Sequence, residues 1–121
     1  MRGAVVACVV LASALAGCGG KSDEQQVRDT ATEFVDAVHA GNGEKACSLL
    51  TEESKPVYTQ LGDIPCSQGV LRAALPRGLK VVKVQLTGGR ATIGFRGPEG
   101  ELRSLVVKHV ADGWRVDVSS G

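Results

Sequence analysis

The apolar positions of this chain change their spacing twice. From Gly3 to Leu15 they form a run with hardly a polar atom. From Val27 they recur at helical spacing, as Val27, Ala31, Phe34, Val35 and Val38, with Asp29, Glu33 and Asp36 between them. That stripe predicts an amphipathic helix capped by Ser22 or Asp23 and ended at Gly41. Asn42 is placed to cap a second short helix whose apolar positions are Ala46, Cys47, Leu49 and Leu50. Ser54 followed by Pro56 suits the start of a third, because a first-turn N–H has no bond to lose. A last helical piece, about Cys66 to Leu75, is expected to bury Val70, Leu71 and Ala74 and to stop before Pro76.

From Leu79 onward the period is two, and three turns set a register. Gly88-Gly89 reads as a two-residue hairpin, pairing Thr87 with Arg90 and setting Val82, Val84 and Leu86 against Phe95, Ile93 and Ala91. Gly97-Pro98-Glu99-Gly100 suits a type I turn with a left-handed Gly100, which places Ile93 opposite Leu105 and Ala91 opposite Val107. Asp112-Gly113 reads as a primed turn, setting Ala111 against Trp114, His109 against Val116 and Val107 against Val118. Together the turns put Val82, Val84, Leu86, Ala91, Ile93, Phe95, Leu105, Val107, Trp114, Val116 and Val118 on one face. A slip of one residue at any hairpin breaks that agreement. The expected fold is α+β: N-terminal helices packed on one face of a four-stranded antiparallel meander sheet.

The N-terminal run changes the picture of where this domain works. It opens with Met1-Arg2 and closes on Leu15-Ala16-Gly17-Cys18, the charged start, apolar core and small-residue cleavage site of a secretory signal. With cysteine after the cleavage site it resembles a bacterial lipoprotein signal, which implies that Cys18 is acylated and becomes the new N-terminus. The run is too short to span a bilayer comfortably, since ~20 apolar residues are needed. Several acyl chains on one cysteine give durable anchoring where a single chain is marginal. The expected organisation is a signal peptide over 1–17, a lipidated cysteine and polar tether over 18–24, and a single domain over 25–121. The expected location is the extracytoplasmic side of the cell membrane.

Removal of 1–17 leaves 104 residues, enough for one small domain. Arg2 leaves with the signal, so Lys plus Arg and Asp plus Glu stand at 13 each. That balance argues against a nucleic-acid partner or a polybasic membrane binder. Cys8 leaves with the signal and Cys18 takes lipid. Cys47 and Cys66 remain as an even pair in an oxidising compartment, where a structural disulfide is the default. The rival is a redox or metal site, but there is no Cys-x-x-Cys and neither histidine stands at ligand spacing from a cysteine.

Phe34-Val35-Asp36-Ala37-Val38 with Ala40-Gly41-Asn42, then Ala46-Cys47-Ser48-Leu49-Leu50-Thr51, then strands ending Asp112-Gly113-Trp114-Arg115-Val116, resemble the nuclear-transport-factor-2-like (cystatin-like cone) superfamily. The chain is most similar to its small actinobacterial lipoprotein members, and the resemblance spans roughly residues 25–118. It implies a cone in which helices cover a curved sheet. It implies no one activity, because the superfamily holds isomerases, dehydratases, transport factors and modules without chemistry.

Candidate chemistry is sparse. The register sets His109 on the apolar face beside Trp114, as a general base or ligand donor or as a satisfied histidine at the sheet margin near Gly88-Gly89. Isomerase chemistry of the superfamily's type needs an inward acid. Asp36 falls on the polar side of its helix, Asp117 faces outward, and Tyr58 and Asp63 have no partner that can be placed. Arg103 is the only cation on the apolar face, at a strand end where it reaches water. No catalytic residue, metal site or cofactor is expected. The outer sheet face carries Lys83, Arg90, Arg96, Lys108 and Arg115, with Asp117 opposite Lys108 and apolar Leu102, Val106 and Val110 among them. It reads as an ordinary solvated face or as a patch that docks an envelope protein, an anionic polymer or a second copy. The first expectation is a non-catalytic interaction or envelope-assembly module. The alternative is a carrier or sensor of a small apolar ligand held around Phe34, Phe95, His109 and Trp114. An isomerase- or dehydratase-like enzyme comes third.

Overall fold

Ser22 begins the first helix by accepting the Gln25 N–H on its side chain, which satisfies one of the donors a helix start leaves open. The computed structural model describes residues 21–60, 63–73 and 75–119. Helix α1 runs Asp23–His39 and buries Val27, Ala31, Phe34, Val35, Ala37 and Val38. It therefore starts inside the stretch read as tether, with Asp23 and Glu24 forming its acidic first turn. Gly41 follows it at φ +75°, the left-handed position that ends a helix. His39 Nε2 donates to the Leu75 carbonyl at 3.0 Å and ties the end of α1 to the chain that enters the sheet.

Helix α2 (Gly43–Ser48) is capped by the Asn42 side chain, as expected. Helix α3 (Lys55–Thr59) carries its proline at the first turn, but Ser54 gives it no side-chain cap. That hydroxyl is committed elsewhere. Helix α4 (Cys66–Gly69) tightens into a 3₁₀ turn over Val70–Arg72. The tightening overturns one expectation: three residues per turn rotate Leu71 away from the buried side of Val70, and Leu71 is exposed. Ala74 lies outside the described residues. Cys47 and Cys66 form the disulfide, with 6.1 Å between Cα atoms. The helices it joins meet closely, because a Cβ on Gly43 would collide with the Ser67 carbonyl and one on Gly69 with the Tyr58 carbonyl.

Strands β1 (Lys80–Thr87), β2 (Arg90–Arg96), β3 (Leu102–Val110) and β4 (Gly113–Asp117) form one antiparallel meander in the order β1-β2-β3-β4. The first two hairpins hold the expected pairs: Thr87 with Arg90, Leu86 with Ala91, Val84 with Ile93, Ile93 with Leu105 and Ala91 with Val107. Two details differ. A bulge between Val81 and Lys83 sets Val81, not Val82, against Phe95. The extra residue turns Val82 to the outer face, where it is 50% exposed. The last hairpin slips by two residues, so that His109 faces Trp114 and Val107 faces Val116. A primed turn over Asp112-Gly113 needs positive φ at both residues. Gly113 has it at +118° and Asp112 does not, so the loop falls on Ala111-Asp112. Because the slip is even, Trp114 and Val116 keep the inner face and are buried.

Phe34 and Val38 of α1 pack with Ile93, Phe95, Val107, Trp114 and Val116 in a single core. Leu86, expected in that core, is exposed on the edge strand β1. The opposite edge is covered. Thr51 donates its N–H to Val116 O and Val116 donates its own to Leu49 O, so the chain after α2 pairs with β4 as a short parallel bridge at Leu50.

Candidate docking face of the sheet

The bridge at Leu50 carries the α2–α3 loop over the end of β4 and buries an acid. Asp117 stands on the outward side of its strand, as its position in the register requires, yet it is 3% exposed. Its Oδ1 accepts bonds from Ser54 Oγ at 3.0 Å, Thr51 Oγ1 at 3.3 Å, and Ser119 N and Oγ at 3.1 and 2.6 Å. Ser54 Oγ also accepts the Val118 N–H at 2.8 Å, which is why it does not cap α3. Lys108 Nζ completes the set at 3.0 Å from Oδ2. A buried carboxylate is tolerated when it is paired and its lone pairs are filled. Here four hydroxyl or amide donors and one ammonium fill them.

This network sorts the five outer-face cations. Arg90, Lys108 and Arg115 stand directly opposite one another across β2, β3 and β4, a row of like charges that costs stability. Asp117 offsets it by taking Lys108 as its counterion, and Arg115 turns back to donate to the Trp114 carbonyl at 2.8 Å. Lys108 is thus committed to the fold. Lys83 and Arg96 lie at the other end of the face, exposed and outside any ion pair among the described residues.

Between Lys83 and Arg96 the sheet carries an open groove of about 510 Å³. Gly94 forms its floor, paired with Lys83 on one side and Ser104 on the other. Val82, displaced outward by the bulge, and Leu102, 67% exposed, supply its apolar walls. Arg103 reaches water at the strand end, as expected, and joins the rim. The charge around the groove is part of a wider asymmetry. Residues 21–78, mostly helical, hold six cations and nine carboxylates, whereas residues 79–119, mostly sheet, hold seven and four.

The four residues read as a ligand cavity fall differently. Phe34, Phe95 and Trp114 are buried at 1%, 2% and 4% exposure and are themselves core. His109 is exposed. Its ring packs edge-to-face on Trp114 with 5.0 Å between centroids, and its backbone N–H donates to the Gly89 carbonyl. That is the marginal histidine near the Gly88-Gly89 turn. The Trp114 indole N–H is buried without a hydrogen-bond partner among the described residues. Asp36 and Asp63 are both exposed. Among the described residues no group of three His, Cys, Asp or Glu could hold a metal, and no helix is long and apolar enough to cross a membrane. A smaller apolar hollow of about 160 Å³ lies by Tyr58, Ile64, Gly69, Arg72 and Ala73, where burial raises the Tyr58 phenol above its ordinary value. Cys8, Cys18 and the signal-like run lie outside the described residues.

Comparison with solved structures finds a chain of similar fold. A supposed NTF2-like transpeptidase from Campylobacter jejuni is similar at a TM-score of 0.50 and 14% identity, over 76% of this chain and 97% of that one. The fold is the cystatin-like cone. An uncharacterised cystatin-fold protein from Novosphingobium aromaticivorans is similar at a TM-score of 0.43 and 19% identity, over 81% and 97%. No family model matches the sequence, and no curated protein matches it. At these identities the likeness concerns the fold alone.

Sequence reasoning finds the cations of the outer face but not the groove or the buried acid. The groove depends on a bulge that moves one valine, and no turn residue announces it. The acid depends on a loop pairing with β4 across 66 positions. The one available signal is the cluster of small hydroxyls at Thr51, Ser54 and Ser119, residue types that satisfy a carboxylate.

Proposed function

We propose that this protein is a membrane-tethered extracytoplasmic lipoprotein whose cone-like domain docks an acidic partner on the outer face of its sheet. The observation that carries the reading is the groove at Gly94, where exposed Val82 and Leu102 lie beside Lys83 and Arg96. Apolar surface rimmed by charge of one sign is the usual composition of a recognition patch. The Leu15-Ala16-Gly17-Cys18 sequence supports acylation at Cys18. Only three residues, Gly19, Gly20 and Lys21, then separate Cys18 from the Ser22 cap of α1, at most roughly 15 Å of extended chain. The domain is held close to the lipid surface, and the groove lies on the sheet face turned away from α1. The sequence resemblance supports an actinobacterial source.

The charge pattern selects among partners. Two copies meeting face to face would bring two faces carrying the exposed cations Lys83 and Arg96 together, which argues against a homodimer through this face. The outward side chains of the four strands include no aromatic ring for base stacking, which argues against nucleic acid. A non-catalytic role is supported by the exposure of Asp36 and Asp63 and by the structural use of Asp117. A carrier would need space among Phe34, Phe95 and Trp114, which instead pack on one another's cluster.

Two variants test the reading. Cys18→Ser is expected to release the protein from the membrane fraction and to abolish incorporation of labelled palmitate. Lys83→Glu with Arg96→Glu is expected to remove the partner while leaving the melting temperature unchanged. A protein that stays membrane-bound and unlabelled alike in wild type and Cys18→Ser overturns the anchor. Partner retention in the double variant overturns the face.

A further inference from the structure

Gly94 sits in the middle of β2, where glycine weakens a strand by its loss of chain entropy and its missing side chain. Most of the other described glycines are explained by the fold, Gly89 in the first hairpin turn being an exception. Gly43 and Gly69 stand where any Cβ would strike a carbonyl, and Gly88, Gly100 and Gly113 have positive φ. Gly94 has neither reason. A Cβ there would meet the Lys83 Cβ at 3.5 Å and Val82 Cγ2 at 4.0 Å, which is ordinary contact. The free domain would tolerate a side chain at this position and gain from it. What the glycine does is open the floor of the groove.

We infer that this notch receives an aliphatic side chain from an extended acidic polypeptide segment, with flanking carboxylates of that segment on Lys83 and Arg96. The inference rests on the reading of the outer face as a docking surface and names what the face takes. Val82 and Leu102 give the walls an apolar surface that an anionic polysaccharide or polyphosphate would leave uncovered. The groove is shallow and open, so an acyl chain laid in it would keep much of its length in water. An extended peptide fits both features. Alternate side chains of a strand point to opposite sides, so one enters the notch while its neighbours reach the rim cations. The lining residues include no carboxylate, which leaves the charges of the ligand unopposed.

The test uses the full-length protein in neutral detergent and fluorescence anisotropy of three dye-labelled peptides. The first is Glu-Asp-Glu-Leu-Glu-Asp-Glu, the second has Ser in place of Leu, and the third keeps Leu but has Gln and Asn in place of the acids. Wild type is expected to bind the first about tenfold more tightly than the second, the value of one partly buried aliphatic side chain, and the third not measurably. Gly94→Val is expected to bind the first peptide no better than the second, with an unchanged or raised melting temperature. Gly94→Ala and Val82→Thr serve as milder variants should the valine unfold the strand. Equal binding of the Leu and Ser peptides, or an unaltered preference in Gly94→Val and Gly94→Ala, overturns the notch. If acidic peptides bind without preference and Lys83→Glu with Arg96→Glu abolishes binding, the docking face stands and the notch alone falls. Binding of phosphatidylglycerol vesicles in place of every peptide overturns both.

Discussion

Lys108 Nζ lies 3.0 Å from Oδ2 of Asp117, and the Asp117 side chain has no exposed surface. The pair joins the third strand to the fourth, and through Ser54 and Thr51 it joins both to the α2–α3 loop. The sheet edge, the loop that covers it and the outer-face charge row therefore share one electrostatic centre. A cation that looks like part of the docking surface is a structural counterion.

Breaking that centre from either side is expected to be costly. Asp117→Ala leaves the Ser54, Thr51 and Ser119 donors and the Lys108 ammonium without their acceptor, whereas Lys108→Ala leaves a buried carboxylate without its cation. Each is expected to destabilise the fold by about 3 kcal/mol, read from urea denaturation. A loss below about 1 kcal/mol in both would show that the carboxylate is not an organising element. For the same reason Lys108→Glu is unsuitable as a probe of docking, because it sets two carboxylates against each other.

Reduction of Cys47–Cys66 frees a loop whose ends are 19 positions apart. Loop-closure entropy assigns such a bridge about 3 kcal/mol, or a fall in Tm of about 12–24 °C for a domain of this size. Calorimetry of Cys66→Ser, or of the wild type in reductant, checks it. An unchanged Tm would show that the Gly43–Ser67 and Gly69–Tyr58 contacts hold α2, α3 and α4 together unaided.

Tyr58 is the one tyrosine in the chain, so phenolate absorbance at alkaline pH reports it alone. Burial raises its pKa above the ordinary 10.0. The unfolded chain then loses this proton before the folded one does. The contribution of the neutral phenol to stability is complete below pH 10 and is lost as pH rises through the folded value. The expected result is a titration midpoint above 10 with a parallel drop in Tm. A midpoint at or below 10 would mean that the phenol is solvated.

Trp114 is likewise unique, buried, and unbonded at its indole nitrogen among the described residues. Its emission is expected to be blue-shifted and indifferent to added fatty acids or sterols, and His109→Ala is expected to alter it only slightly. A large spectral response to an apolar ligand would favour a carrier and count against a core filled by its own side chains.

Much of the fold is legible in the residue order, and the reasons are local. The α1 stripe, the Asn42 cap and the glycines at 88 and 100 each fix conformation within a few residues, and hairpin turns propagate register along whole strands. The features that were not legible are those where distant segments meet. The bulge at Val82 answers to packing of Val81 against the α1 side of the sheet. The Asp112-Gly113 dipeptide carries a primed-turn signature, yet pairing Trp114 with His109 and Val116 with Val107 won over it. The Asp117 network joins positions 51, 54, 108 and 119, which no periodicity connects. The candidate site inherits this division: Lys83, Arg96 and Leu102 could be read from alternation, but the notch between them could not.

The most direct test is native mass spectrometry of the lipidated protein extracted gently from its own membrane, run beside the Lys83→Glu, Arg96→Glu variant. The docking account predicts an acidic protein bound to the wild type and absent from the variant, with the two melting at the same temperature. The same partner on both proteins, or a bare monomer in each, would contradict it.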